Sequence, residues 1–373
     1  MNRILRQIIL CIVIAILAIL SLAGCNKKPT SPTTDKLITV TDCVGRKVEV
    51  PVGSQRIAAP DAFAAEAMVM CGAGKQLCAC PNRMRTDVIL QKIYPKLSKV
   101  PTTSSNGAVN VETLTQIGAE VAIIKQEMYE AGTETIKFDK MRIPYVVIGY
   151  ETMEDQIKAL KLIGEICAGK PAEKMKQITD YYEQTIGLCE NLAAGIPEDQ
   201  RIRVYHSINS VERTDGQKSV GTDWIRTVGA VNVSADLDQA VEGHDYQAGL
   251  EQIYAWDPDV VICNAADTTD YMYTDSKWKG LRAVREKQVK TVPVGATRWG
   301  QRGGVETFFA MIWLGSEIYP DEYAGIDLKK EVKIFYKDVL GVEVDDQLYE
   351  EILSGRGVRQ AGTNVGGGNG NGN

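Results

Sequence analysis

The sequence predicts an α/β fold built twice: two lobes of similar topology, with largely parallel sheets, joined by one long helix. Three observations carry this reading. Apolar strand-like runs alternate with helical periodicity, the pattern of parallel sheets connected by crossover helices. A segment of the first half returns in the second at a constant offset of 139 residues. Between the two copies lies one uninterrupted amphipathic stretch. At 373 residues the chain has room for two domains of ordinary size, and 44% hydrophobic with 24% charged residues is ordinary globular composition. A net charge of −6 argues against a nucleic-acid partner, which asks for a basic surplus.

The elements follow in order. Arg3 and Arg6 precede an unbroken apolar run from Ile8 to Leu20. As a helix that run is about 20 Å long, short of the ~30 Å bilayer core, so residues 1–24 read as an export signal. Leu22-Ala23-Gly24-Cys25 resembles the bacterial lipobox, where cleavage before the cysteine leaves its sulfur to carry lipid. An ordinary signal peptide ending in cysteine, or a marginal membrane anchor, is the alternative. Residues 25–36 are polar and proline-containing, as suits a flexible tether between membrane and domain. Residues 37–170 form the first lobe, with strands at Ile38–Thr41, Val121–Ile124 and Tyr145–Ile148 and helices at Ala62–Cys71 and Glu112–Ile117. Pro171 opens the connecting helix, 171–195, where Met175, Ile178, Tyr182, Ile186 and Cys189 recur as one apolar stripe. Residues 196–355 form the second lobe, with strands at Ile202–Tyr205, Val260–Cys263 and Val289–Val294. The tail, 356–373, ends in glycine and asparagine alone and cannot bury a core.

The echo has three pieces in the same order. Val111-Glu112-Thr113-Leu114 and the run Glu120-Val121-Ala122-Ile123 match Leu250-Glu251-Gln252-Ile253 and Asp259-Val260-Val261-Ile262: an acid opening a short helix, a turn, an apolar strand. Upstream, helices end in Cys71-Gly72-Ala73 and Val228-Gly229-Ala230; downstream come the proline-containing strands Ile143-Pro144-Tyr145-Val146 and Val292-Pro293-Val294.

Chemistry is sparse. Gly72-Ala73-Gly74-Lys75-Gln76 fails as a phosphate loop, because Val69 stands where the first glycine belongs and Gln76 where Ser or Thr would hold magnesium. A left-handed helix cap explains those glycines better. No nucleophile elbow or His-Glu-x-x-His motif is present, so no catalytic residue is assigned and the protein is read as a non-enzyme. With two histidines in the chain, no metal site is assigned either; His206, beyond the strand Ile202–Tyr205, belongs in a cleft because strand C-termini point at ligand crevices. His244 falls in a glycine-bearing turn. Seven cysteines remain once Cys11 is cleaved off and Cys25 acylated: Cys43, Cys71, Cys78, Cys80, Cys167, Cys189 and Cys263. No zinc-spaced Cys-x-x-Cys occurs. Most read as free structural thiols, although Cys71, Cys78 and Cys80 could bridge or bind a metal. The strongest ligand candidates are Arg298, Trp299 and Arg302 on the glycine-rich loop Arg298–Gly304, since planar guanidinium groups grip carboxylates and an indole offers a flat apolar face. Arg83 and Arg85 form a similar basic loop in the first lobe, and Tyr150 joins the set.

The segment Ile38-Thr39-Val40-Thr41-Asp42, with Gly45-Arg46, Val48-Glu49-Val50-Pro51 and Arg56-Ile57, resembles the opening of the substrate-binding proteins of bacterial ABC importers for iron–siderophores, haem and cobalamin. Asn110-Val111-Glu112, the stretch from Leu250 to Ile262, and Phe335-Tyr336 with Val339-Leu340-Gly341 resemble further motifs of that family. The likeness covers about residues 37–355. It implies two Rossmann-like lobes joined by a single long helix, the class III periplasmic binding protein fold, with ligand in a shallow cleft and no chemistry performed on it. The implied solute is a metal chelate, a ferric siderophore first and a corrinoid or haem behind it, so iron or cobalt would arrive with the ligand and no cofactor is needed. The implied partners are an ABC permease dimer with its cytoplasmic ATPase, and the membrane through the lipid on Cys25, the protein itself being a monomer in the cell envelope. One glutamate on each lobe would dock onto permease arginines; those positions match Glu112 and Glu251. Two symmetry-related acids also suit a two-fold partner, although acids at helix N-termini stabilise the helix dipole in any case.

Overall fold

The computed structural model describes residues 36–357, apart from 103, 106–107, 239 and 241–245. Cys25, the tether up to residue 35, His244 and the Gly/Asn tail lie outside the described residues.

The first half opens with an antiparallel hairpin, β1 (Leu37–Thr41) and β2 (Lys47–Pro51), in which Val40 faces Val48. Next come β3 (Ile57–Ala58), β4 (Leu77–Ala79), the small hairpin β5 (Ser104–Ser105) and β6 (Ala108–Val109), β7 (Val121–Lys125) and β8 (Tyr145–Ile148). Four of these form a parallel sheet in the order β4-β3-β7-β8. Its helices are α1 (Ala62–Met70), α2 (Val88–Ile93), α3 (Val111–Gln116), α4 (Gln126–Ala131), α5 (Thr133–Met141) and α6 (Met153–Cys167). Strands buried on both sides need apolar residues at every position, and Tyr145 to Ile148 are buried without exception. Side-chain caps start the helices: Asp61 accepts from Ala64, Asn110 from Thr113 and Thr152 from Asp155.

The second half contains β9 (Arg203–Ser207), β10 (Arg213–Thr214), β11 (Val231–Asn232), β12 (Tyr246–Gln247), β13 (Val260–Cys263) and β14 (Val289–Thr291). The sheet runs β12-β10-β9-β13-β14, with β11 also on β9; its β11, β13 and β14 pairings are parallel, and β10 adds an antiparallel edge. The repeat appears in space as it does in sequence. Helix α3 and strand β7 begin at 111 and 121, and their counterparts, the helix Leu250–Trp256 and β13, at 250 and 260. Gly72 and Gly229 both follow helix ends with φ of 83° and 89°, the left-handed cap the sequence calls for. The proline strands differ: Pro144 directly precedes β8, whereas β14 stops at Thr291, before Pro293. There Val292 still bonds to Cys263, but Val294 donates to Ile352 and the chain leaves the sheet.

Between the halves runs α7 (Gly169–Ala193), 25 residues, about 38 Å at the standard rise. Met175, Ile178, Tyr182 and Cys189 of its stripe are buried, and Ile186 is half-buried. Ala168, at φ 56°, breaks it from α6. One apolar core extends from Val121 and Val146 through α6 and α7 to Val204, Trp224, Trp299 and Phe308, so the lobes share an interior along the connecting helix. Tyr181 seals α7 against Phe308 and Phe335, with ring centroids 5.1 and 5.0 Å away, contacts worth about 0.5–1.5 kcal/mol each beyond area burial. Among the described residues no helix is long and apolar enough to cross a membrane.

Candidate functional site

Strands β3, β8, β9 and β13 all lead to one cleft of about 230 Å³ between the two sheets. From the first half, Asp61 and Phe63 reach it at the start of α1, Arg83 from the loop after β4, and Tyr150 and Glu151 from the turn after β8. From the second, His206 comes from β9, Asp215 from the turn after β10, Asn264 from the residue after β13, and Gln301 and Arg302 from the loop beyond Pro293. This is the crevice at the carboxyl ends of strands where open α/β sheets bind ligands.

Local chemistry fixes each wall. Asp61 caps α1 and accepts the Tyr150 hydroxyl at 2.9 Å, while Phe63 stacks on the Tyr150 ring at 4.8 Å. His206 is buried with Nδ1 2.5 Å from Asp215 and Nε2 2.9 Å from the Asn264 carbonyl oxygen. Burial pulls its pKa down, but Asp215 outweighs that and leaves it above the ordinary value. Asp215 in turn packs on the backbone at Gly221, at the start of α8 (Val220–Thr227), so closely that a β-carbon there would lie 1.8 Å from a carboxylate oxygen. Only glycine fits.

Arg302 bridges the halves. It donates from Nε to Glu151 at 2.6 Å and from Nη2 to both Glu127 and Glu151, and it lies over the Tyr150 ring. Its backbone is held too: buried Gln156 of α6 donates to the Arg302 carbonyl at 2.8 Å and accepts from Tyr182 and Thr307. Arg298 is the opposite case. Its Nη1 is buried with no hydrogen-bond partner, and no carboxylate forms an ion pair with it among the described residues. Burial and the like charge of Arg83 push its pKa down to about 10. His206 also feels the Arg298 charge. Arg83 pairs with Glu66 at 3.2 Å, but Glu66 is buried and its carboxyl is pushed up to about 8, which keeps it largely protonated near neutrality.

Of the residues that the sequence nominates, Arg83, Tyr150, His206 and Arg302 line this cleft. Arg298 is not among the lining residues but lies within electrostatic reach of two that are, Arg83 and His206. Arg85 is elsewhere, spending its guanidinium on the Ser98 carbonyl at 3.0 and 2.8 Å. Trp299 is fully buried against Phe309 and offers no face to the cleft. The cause is Gly300 at φ 67°: the turn tucks the indole inward, and Trp224 donates to the Gly300 carbonyl at 3.0 Å. Sequence reasoning missed Asp61, Asp215 and Asn264. The rule applied to His206, to look just past strand ends, finds Asp61 after β3 and Asn264 after β13. Glu112 and Glu251 are exposed in the first turns of their helices, and neither lines the cleft. All seven described cysteines are free thiols, and no group of three or more metal-ligating side chains is gathered among the described residues.

Comparison with known proteins agrees with this architecture. The periplasmic binding protein family model matches residues 57–294. The molybdate-binding protein MolA of Haemophilus influenzae is 24% identical over 335 residues, 82% of this chain and 91% of that protein. A periplasmic solute binding protein from Veillonella parvula superposes with a TM-score of 0.71 at 25% identity, covering 85% of this chain and 97% of the other. MolA bound to molybdate superposes at 0.70 with 19% identity, covering 83% and 99%. Helicobacter pylori CeuE with Ni(II) bound does so at 0.68 and 16%, covering 85% and 99%. The two-lobed class III fold is thereby established, and these relatives are solute-binding proteins rather than enzymes. The chain belongs to the periplasmic binding protein family, as an extracytoplasmic solute-binding protein of an ABC importer.

Proposed function

We propose that the solute is a small oxyanion of the molybdate type, captured between the lobes and handed to the importer's permease. One observation carries the reading: the buried guanidinium of Arg298, without a counter-ion, beside the cleft arginine Arg83. A buried charge left unpaired is costly, and an anionic solute supplies the missing partner. The size of the cleft supports this, since about 230 Å³ lies below the roughly 300–1,000 Å³ typical of drug-sized ligands. Similarity to MolA supports it further. The second reading is an anionic metal chelate, a ferric siderophore before a corrinoid or haem, and the Phe63–Tyr150 stack at the cleft wall favours it. Calorimetric titration with molybdate and with a ferric catecholate decides: saturable one-to-one molybdate binding is expected, and binding of the catecholate alone would move the assignment to the chelate.

Delivery is proposed to use Glu112 and Glu251, exposed at equivalent places on the two lobes. The Glu112→Ala, Glu251→Ala double variant should bind solute normally yet support little uptake in vesicles reconstituted with permease and ATPase. Normal uptake would remove the docking role. Cys25 is proposed to carry the lipid anchor, so Cys25→Ala should release the otherwise monomeric protein from the membrane fraction; retention at wild-type levels would rule that out.

A further inference from the structure

One buried carboxylate does not line the cleft, yet it closes the loop that carries Arg298 and Arg302. Glu306 is fully buried at the end of that loop, directly before the helix Thr307–Ile318. Its Oε2 accepts from the backbone amide of Thr297 at 2.6 Å and from the Thr297 hydroxyl at 3.1 Å. Its Oε1 accepts from the Tyr336 hydroxyl at 2.6 Å, and that hydroxyl accepts in turn from the Ala296 amide at 2.8 Å. The Thr297 hydroxyl accepts from the amides of Val305 and Glu306, each at 3.1 Å. Both ends of the loop thus meet on one carboxylate, one threonine and one tyrosine, all of them buried. Two glycines allow the closure. A β-carbon at Gly295 would lie 2.1 Å from the Tyr336 hydroxyl oxygen, and one at Gly304 would lie 2.2 Å from the Arg298 carbonyl oxygen.

A buried carboxylate is a poor source of stability, because apolar packing of the same volume often does as well or better. Burial raises the Glu306 pKa to about 7, although the bonds from Tyr336 and Thr297 oppose it. What the group secures is a geometry. Arg302 is fixed from outside the loop by Glu127, Glu151 and Gln156. Arg298 has no such hold: its Nη1 is buried without a hydrogen-bond partner, so the backbone at Thr297, the residue before it, is what places it. We propose that Glu306 is a positioning residue for solute capture, clamping Thr297 so that the Arg298 guanidinium stands ready before an anion arrives. The inference rests on the reading of the solute as an oxyanion answered by Arg298. Donors ordered in advance bind more tightly, because the cost of ordering them is met in the free protein.

The test is calorimetric titration of molybdate into the wild type and Glu306→Gln, which keeps the side-chain volume but replaces one acceptor oxygen by a donor. Affinity should fall roughly three- to tenfold. Backbone amide exchange should quicken in the peptide spanning residues 295–306 while α7 exchanges as in the wild type. Thr297→Val, which removes the hydroxyl, should weaken binding in the same way, and Thr297→Ser, which keeps it, should not. Adding Glu306→Gln to Arg298→Met should weaken binding no further, because the residue it places is gone. Unchanged affinity in Glu306→Gln, a loss of the same size in the Arg298→Met background, or a Thr297→Ser protein as weak as Thr297→Val would each overturn the proposal. Failure of the wild type to bind molybdate would instead fall on the oxyanion reading. The same series is then titrated with the ferric catecholate, and there too only a loss that vanishes with Arg298 upholds the clamp.

Discussion

Arg298 and Arg302 lie on the same loop, and the fold treats them in opposite ways. Arg302 is held by two carboxylates from the other half of the molecule, Glu127 and Glu151, with Gln156 fixing its backbone. Arg298 is at least as withdrawn from water and has no counter-ion among the described residues. The difference separates two jobs that one basic loop would otherwise blur. A charge already satisfied within the protein holds the lobes in register. A charge left unsatisfied is a standing demand for an anion from outside, and it costs stability until one arrives.

That contrast can be broken by mutation, most strongly at Arg302. Removing one partner of a buried pair costs about 3–5 kcal/mol, and the 32% exposure of the Arg302 side chain discounts this to about 1–3 kcal/mol for Arg302→Ala by urea denaturation. The acid limb should change as well. Burial raises the Glu127 carboxyl, but Arg302 outweighs it and leaves the pKa below its ordinary value. A depressed carboxyl adds stability above its unfolded pKa, near 4.5, and loses it as pH falls through the folded value. Arg302→Ala should therefore flatten stability against pH below about pH 4.5. An unchanged acid limb would show that the bridge does not hold the fold.

Gln156→Leu comes next. It strands the Tyr182 hydroxyl and the Arg302 carbonyl and leaves the Thr307 hydroxyl only its longer bond to the Gly304 carbonyl, so about 1–2 kcal/mol of lost stability is expected, measured in the same way. Arg298→Met should move the other way, stabilising the solute-free protein by about 1 kcal/mol because a desolvated charge is gone. Loss of stability there would mean that Arg298 has an internal partner after all. The smallest effect is at Glu66, whose carboxyl is raised to about 8 chiefly by burial, opposed by Arg83 and reinforced by Asp61, Asp87 and Glu306. Below that pH the acid is neutral and leaves Arg83 to the solute; above it the carboxylate competes. Molybdate affinity should thus fall a few-fold from pH 7 to pH 9 in the wild type but not in Glu66→Gln, and parallel pH profiles would exclude the competition.

Much of the fold was legible because its signals are local. The apolar runs at Tyr145–Ile148 and Val260–Cys263, the 139-residue echo and the stripe along α7 each need only neighbouring residues to be read. The site was legible where one rule sufficed, as with His206 near the end of β9. It was not legible where partners are distant in sequence: the acids that claim Arg302 lie 151 and 175 residues away, and no local pattern announces them. Trp299 misleads for a related reason. Beside two arginines it reads as a binding face, but a single left-handed glycine turns it into the core. Arg85 reads in the sequence as the equal of Arg83, but the Ser98 carbonyl, 13 residues on, holds its guanidinium.

The central claim is that the uncompensated Arg298 charge is what the solute answers, and calorimetric titration of molybdate into the wild type and Arg298→Met tests it most directly. A charge-assisted hydrogen bond is worth about 1.5–3 kcal/mol, so the variant should bind roughly ten- to a hundredfold more weakly while remaining folded and at least as stable. Molybdate binding of equal strength in both proteins would contradict the account.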